Sequence, residues 1–354
     1  MRNDYLLPLL PATLLIALLG VISLPGHAGE TAASTAQPTL LVANQGDRTL
    51  SLINPEAGQQ TAAVPENEIT GHEVAASPDG RTAYVPIYGS SGVGKPGTDG
   101  RKMLVINLET RKVTGSVDFG HGVRPHCPVF DPNHHVLYVT TELDNTITVI
   151  DPSTLKIIGT VPTGQPEAHM LAISHDGKRG YTANVGPGTV SVLDLTSRKQ
   201  ITVIPISAST QRISISPDDS MVFTADQTKP QLAVIDTATN KIKTWVPLAS
   251  PGYGTAATKD GRYLLVAVPK SNHVAVVDLA TLKVTRTLDV PSAPQEVLMR
   301  PDGKMAYVSC NASHKVAAIN LTDWKVEKLI DAGKGADGLA WANGTTGEQS
   351  ISQR

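Results

Sequence analysis

The chain has 354 residues and a net charge of −2, and charged side chains make up only 18% of it. It carries no basic field of the kind that neutralises phosphates, so no nucleic-acid partner is expected. Aromatics are 4%, against 30 glycines and 25 prolines, which argues against a helical bundle and for many short strands separated by tight turns.

The first segment differs in kind from the rest. Residues 6–24, LLPLLPATLLIALLGVISL, are almost wholly apolar, and Gly26 and Ala28 follow as a small-x-small pattern. This predicts a signal peptide over residues 1–28 with cleavage after Ala28. An uncleaved anchor is the alternative, since 19 apolar residues just span a bilayer, but Pro8, Pro11 and the small-residue site favour cleavage. Residues 29–38 read as a flexible lead-in. The mature chain is expected to be exported, to a periplasm or beyond, with no stable membrane span after cleavage.

From residue 39 a repeat organises the chain. SPDGRTAYV (77–85), DPNHHVLYV (131–139), SHDGKRGYT (174–182), SPDDSMVFT (216–224), TKDGRYLLV (258–266) and RPDGKMAYV (300–308) recur at about 42 residues, with one longer interval holding the insertion YGSSGVGKPGTDGRK (88–102). That period lies in the range of propeller blades. Within residues 169–204 the pattern gives four strands: HMLAIS, RGYTANV, TVSVLDL, which alternates like a half-buried strand, and QITVIPI. Seven third-strand signatures, from TLSLIN (49–54) to VAAINL (316–321), predict seven blades. The first lacks an inner strand, and DGLAWAN (337–343) has an inner-strand pattern with no blade after it. The expected fold is therefore all-β: a seven-bladed propeller of four-stranded antiparallel blades over 39–343, closed by the C-terminal strand completing blade one, with a flexible tail at 344–354.

SPDGRTAYV, GYTANVGPGTVSVLD and YVTTELDNTITVIDPSTLKIIGTV resemble the YVTN-type β-propeller repeat family, over nearly all of the mature chain. The resemblance implies the fold and says little of function, because fold does not determine activity.

Information should then lie where blades depart from the repeat. The residue six before the turn position is His72, His126, His169, Gln211, Tyr253 and Gln295 in blades two to seven, and Asp337 in the closing strand. Every member of this ring is polar. Inner strands converge on the propeller axis, so their rim ends can meet. His72, His126 and His169, with Gln211 as a fourth, form a candidate site for a divalent or copper-type metal. Two other readings stay open: contacts to a polar organic ligand, and rim histidines bonded to loop carbonyls.

The insertion 88–102 lies on the histidine rim, where a Gly-rich loop on a rigid scaffold can cover a site. Arg124 and Glu167 precede His126 and His169 by two residues. Glu73, Arg212 and Glu296 follow ring positions. Arg124, Glu167, Arg212, Tyr253, Gln295 and Asp337 are candidate substrate contacts, although rim charges are more often simply solvated. His134 and His135 belong to the opposite rim, and His273 and His314 to turns far from the axis. Cys127 and Cys310 fall on different blades and are expected as free thiols. No G-x-S-x-G or C-x-x-C-H occurs.

The expectation is an exported propeller with an axial metal site on its top rim, acting on a small molecule as a lyase, hydrolase or oxidase. The alternative is a non-catalytic periplasmic or surface propeller whose rim binds a ligand or a protein.

Overall fold

Turn chemistry sets the period. In Ser77–Gly80 the Ser77 hydroxyl bonds Asp79, Asp79 accepts the Arg81 N–H at 3.1 Å, and Gly80 takes φ +67°. A side chain at Gly80 would also collide with the Asn343 carbonyl. The turn recurs at Ser174–Gly177, where His175 replaces proline, and at Ser216–Asp219, where Asp219 takes the left-handed conformation at φ 59°.

The computed structural model describes residues 37–131 and 133–344. The expected signal peptide, its cleavage site and residues 345–354 lie outside the described residues. Seven four-stranded antiparallel sheets form a ring, one per blade, and the described residues contain no α-helix. Six blades run in chain order from the axis outward. In blade one the closing strand Ala336–Ala342 lies innermost, beside Thr39–Asn44, with Leu40 opposite Trp341 and Leu41 opposite Ala340. The two ends of the repeat array are thus joined by main-chain hydrogen bonds, which leaves no open inner edge.

The third strands are not half-buried, as their alternation suggests. Thr189–Asp194 is buried along its centre on both faces, including Ser191 at 0% exposure. Blades stack face to face, so both faces of a sheet meet a neighbour. The Ser191 hydroxyl is satisfied by Asn184 Nδ2 at 2.9 Å. Outer strands such as Lys199–Pro205 are largely exposed. Cys127 and Cys310 are buried and unpaired, and burial pushes the Cys310 thiol up to about 12. No helix among the described residues is long and apolar enough to cross a membrane.

Candidate functional site

The axial residues owe their positions to β-bulges. Pairing of inner strand to second strand jumps from Pro125 to Pro128, from Ala168 to Met170, from Thr210 to Ile213 and from Pro294 to Val297. His126, His169, Gln211 and Gln295 fall inside those jumps. An extra residue re-aims side chains, so that both Gln211 and Arg212 take part in axial contacts. Second-strand hydroxyls satisfy the displaced backbone. Thr140 donates to the His169 carbonyl at 2.8 Å, Thr224 to the Arg212 carbonyl at 2.7 Å, and Ser309 accepts the Glu296 N–H at 3.0 Å. The hydroxyl in segments such as YVTT and FTAD has this use.

The ring residues separate into two sets. The first holds His72, His126, His169 and Gln211. The His126 and His169 rings stack at 3.5 Å with a 28° tilt, and His72 stands edge-on to His126 at 5.5 Å. Tyr88 packs against all three, at 4.7 Å from His72. His169 is held from both sides, its Nδ1 paired with Glu142 and its Nε2 accepting from Gln211 Nε2 at 3.0 Å. The Tyr88 hydroxyl donates to the other Glu142 oxygen at 2.8 Å. His126 is 1% exposed, with an unpartnered Nδ1. Burial and then the neighbouring His169 drive its pKa well down. His72 is half-buried, and burial lowers its pKa to about 4, partly opposed by Asp337. It is the most accessible imidazole of the three, and it is unprotonated at neutral pH.

The second set is ionic. Arg212, 3% exposed, lies 2.6 Å from Glu73, 2.7 Å from Asp337 and 3.6 Å from Glu296. Residues of blades five, two, one and seven thus meet at one guanidinium. Burial opposes its charge, but Glu73, Asp337 and Glu296 outweigh burial and hold its pKa well above the ordinary value. Burial pushes Glu73 far above the usual carboxylate range, against the pull of Arg212. Asp337 also accepts from Gln45 Nε2, and the Arg212 guanidinium sits 5.2 Å from the centre of the Tyr253 ring. Rim charges are more often solvated, but Arg212 and Asp337, both candidate substrate contacts, and Glu73 beside them are buried and face one another, with Arg212 paired to both carboxyls. Gln295 is half-buried beside them.

Arg124 holds the insertion, and Glu167, whose carboxylate accepts the Gly186 N–H at 2.7 Å, lies against it. The hairpin of blade two continues to a Gly89–Asp99 pair, so the inserted segment is partly strand and its free loop is short. Arg124 bonds Asp99 at 2.6 Å and the Lys95 carbonyl at 2.7 Å. Gly94 lies so close to Glu167 that a Cβ there would be 2.9 Å from its carboxyl. The loop therefore reaches over blades three and four, where His126 and His169 are buried.

Sequence reasoning missed a second ring. Sixteen residues after each first-ring member stand Tyr88, Glu142, Val185, Gln227, Pro269 and Asn311, with Gln45 in the equivalent place of blade one. All but Tyr88, which lies within the strand Thr82–Gly89, follow the end of the second strand, and Tyr88, Glu142 and Gln45 all touch first-ring side chains. Aligning the blades at that position finds them.

A cleft of about 460 Å³ opens on this rim, with side chains of Gln45, Thr70, His72, Ser90, Ser91 and Asn311 around it. A larger depression of about 510 Å³ lies on the opposite rim, between blades six and seven. There Tyr263 and Trp324 pack edge to face at 5.0 Å beneath Arg286, which is interblade packing with no buried acid–base pair. The smaller cleft is the one that His72 lines and that Gln45 joins to Asp337.

Among the described residues no group of three or more His, Cys, Asp or Glu is arranged to hold a metal ion. The stack explains this. An ion lies in the plane of each ligating imidazole, about 2.1 Å from its nitrogen. Two planes 3.5 Å apart and tilted by 28° do not converge within that reach.

The family model described as lactonase, 7-bladed beta-propeller, matches residues 48–251. No curated protein matches the sequence. Among solved structures, Kuenenia stuttgartiensis hydrazine synthase is 19% identical with a TM-score of 0.68, over 83% of this chain and 98% of that one. A functionally unknown protein from Desulfotomaculum acetoxidans DSM 771 is 14% identical with a TM-score of 0.71, over 86% and 99%. At these identities the two structures bear on the fold alone.

Proposed function

The chain belongs to the lactonase seven-bladed β-propeller family, and from that footing we propose that its axial cleft binds a small cyclic ester and hydrolyses it. One observation carries the reading. His72, unprotonated above about pH 4, fronts a cleft of about 460 Å³ and is backed by a packed Tyr88–Glu142–His169 set. A neutral imidazole beside a water-accessible cavity can take a proton from an attacking water, and its lowered pKa makes it a weak base that stays in the accepting form at all pH above about 4.

In this scheme His72 takes a proton from water as the water oxygen bonds to the ester carbonyl carbon. The hydroxyl of Ser90 and the Asn311 amide are the donors at hand for the carbonyl oxygen as it gains charge, since the Ser91 hydroxyl already donates to the Lys95 carbonyl. The ring C–O bond then breaks, and the proton on His72 passes to the leaving alkoxide. The product is an open-chain hydroxy acid. Glu142 and His169 are positioning residues: they fix Tyr88 and the stacked His126, against which His72 rests.

The YVTN-type resemblance is a finer kinship within the same fold, and export to a periplasm or the exterior remains part of this reading. A metal-dependent variant is favoured by one observation, the neutrality of His72 and His126, which is the ligating form of imidazole. It requires His126 to leave its stack. Assay of kcat/KM on a panel of five- and six-membered lactones, before and after chelator treatment, tests both readings. Turnover that survives chelation is expected. Turnover lost with chelator and restored by metal supports the variant, and no turnover of any lactone removes the hydrolase reading.

A further inference from the structure

The depression of about 510 Å³ between blades six and seven lies on the rim opposite the axial cleft. Three departures from the repeat meet there. Blades two to five and seven bury an aromatic ring at Tyr84, Tyr138, Tyr181, Phe223 and Tyr307, each at most 4% exposed. Blade six has Leu265 at that position and carries its aromatic two residues earlier, at Tyr263, half-buried on the rim. Arg286 stands opposite Val276, where other blades have residues such as Ala62, Gly115 and Thr244, and where Lys328 of blade seven alone is also charged. Trp324 takes φ 54° in the turn before its outer strand, a conformation uncommon for a bulky side chain. Arg111 and Arg198 hold that turn position in blades two and four, and each reaches the preceding blade by donating to the Thr61 or Ile158 carbonyl. Trp324 also reaches the preceding blade, and there it meets Tyr263.

The two rings are surrounded by cations. Arg286 lies 4.5 Å from the centre of the Trp324 ring and 5.7 Å from that of Tyr263, and Arg262 lies 5.3 Å from Tyr263. The Arg286 Nε is buried without a hydrogen-bond partner. Neither arginine has an ion pair among the described residues, and the same holds for Lys304 and Lys259 in the wall, although Lys259 Nζ donates to the Pro301 carbonyl at 2.8 Å. The carboxylates nearby are engaged. Asp302 pairs with Arg300 at 2.7 Å, Asp260 accepts the Thr258 hydroxyl at 2.6 Å and the Arg262 N–H at 3.1 Å, and Asp278, beside Tyr263 in the strand pairing, accepts from Thr281. The cations without partners outnumber them.

A guanidinium set against apolar rings gives up hydration, and contact with the ring faces offsets only part of that loss. A phosphate group supplies what such a wall lacks, close to two negative charges and three acceptor oxygens. Tyr263, Trp324 and Leu321 line the remainder and suit an apolar body. We infer that this depression is a second ligand site, separate from the axial cleft, for a phosphate monoester carried on a ring. The phosphate lies among Lys259, Arg262 and Lys304, and the ring against Tyr263 and Trp324.

Isothermal titration of the full chain with phenyl phosphate, inorganic phosphate and phenol tests the site. Phenyl phosphate is expected to bind one site per chain, at least tenfold tighter than inorganic phosphate, with phenol giving no detectable heat. Lys304→Glu, at an exposed position, should weaken phenyl phosphate at least tenfold. His72→Ala, which alters the axial cleft, should leave that affinity at the parental value. Trp324→Ala should bring phenyl phosphate down to the affinity of inorganic phosphate, and its melting temperature reports whether the interblade packing survives. No binding of phenyl phosphate, phenol bound as tightly, or parental affinity in Lys304→Glu overturns the inference. Binding lost in His72→Ala overturns it too, since it would put the anion in the axial cleft. Equal affinity of the parent for phenyl and inorganic phosphate overturns the part given to the rings. Each of these failures leaves the hydrolase reading to its own test.

Discussion

Replacing Arg212 with methionine removes the one cation among two buried carboxylates, Glu73 and Asp337, and the half-buried Glu296. The wild-type contacts are 2.6 Å to Glu73, 2.7 Å to Asp337 and 3.6 Å to Glu296, and Arg212 is 3% exposed. Methionine keeps much of the packing and loses the charge, so Glu73 and Asp337 are left desolvated and facing each other. Breaking a buried pair by removing one partner costs about 3–5 kcal/mol, and the middle of that range is expected at pH 7.5. At this chain size that corresponds to a fall of roughly 6 °C in melting temperature. The pH dependence is diagnostic. Burial already raises the folded-state pKa values of Glu73 and Glu296 above their unfolded values, and without the opposing pull of the guanidinium they rise further. Stability contributed by such groups is present below the unfolded pKa, near 4, and is lost as pH rises. The penalty should therefore shrink toward pH 5 and grow toward pH 8. Urea unfolding followed by tryptophan fluorescence measures it, with Trp341 on the closing strand as the reporter. A loss below about 1 kcal/mol at pH 7.5, or a penalty that does not vary with pH, would refute the view of Arg212 as the cation that neutralises the axis.

Glu66 is 2% exposed, bonds the Gly71 N–H through one oxygen and leaves the other unpartnered, and burial raises its pKa to about 7. Its folded pKa exceeds its unfolded one, so charging costs stability as pH rises past about 4.5. Glu66→Gln should stabilise by about 1–3 kcal/mol at pH 8 and leave stability unchanged at pH 4, as denaturant midpoints will show. Hydrolysis should follow the unprotonated form of His72 and fall only below about pH 4. Glu142 helps to raise the His72 pKa, so Glu142→Gln should move that acid limb to lower pH and reduce kcat several-fold with little change in KM. An unmoved limb in pH–rate profiles would mean that Glu142 is merely structural.

The fold was legible because its signals repeat. Turns such as SPDG at 77–80 and a 42-residue phase let one blade interpret the next, and the orphan strand DGLAWAN completed blade one. The axial ring was legible for the same reason: His72, His126 and His169 share one phase, and the structure brings them together. The second ring was not. Glu142 sits in a short turn after a strand, where polar residues are ordinary, and nothing in TTELDN distinguishes a buried acid from a solvated one. Only its contact with His169, across a blade boundary, gives it meaning. Arg212 was read as a top-rim polar residue and candidate substrate contact, and strict alternation does not place it beside Gln211 at the axis. The bulge between Thr210 and Ile213 breaks that alternation, and no residue type announces a bulge. Arg124 and Glu167 were placed on the correct rim, yet Arg124 bonds the insertion and Glu167 the turn at Gly186, roles that depend on where the loops fold back.

The central claim is that a small polar ligand occupies the axial cleft against His72. Isothermal titration with a hydroxylated δ-lactam, a hydrolysis-resistant mimic of the lactone, tests that placement apart from turnover. The account predicts one site per chain in the parent, at least tenfold weaker binding in His72→Ala, and parental affinity in His135→Ala on the exposed opposite rim. Equal affinity in the parent and in His72→Ala would contradict it.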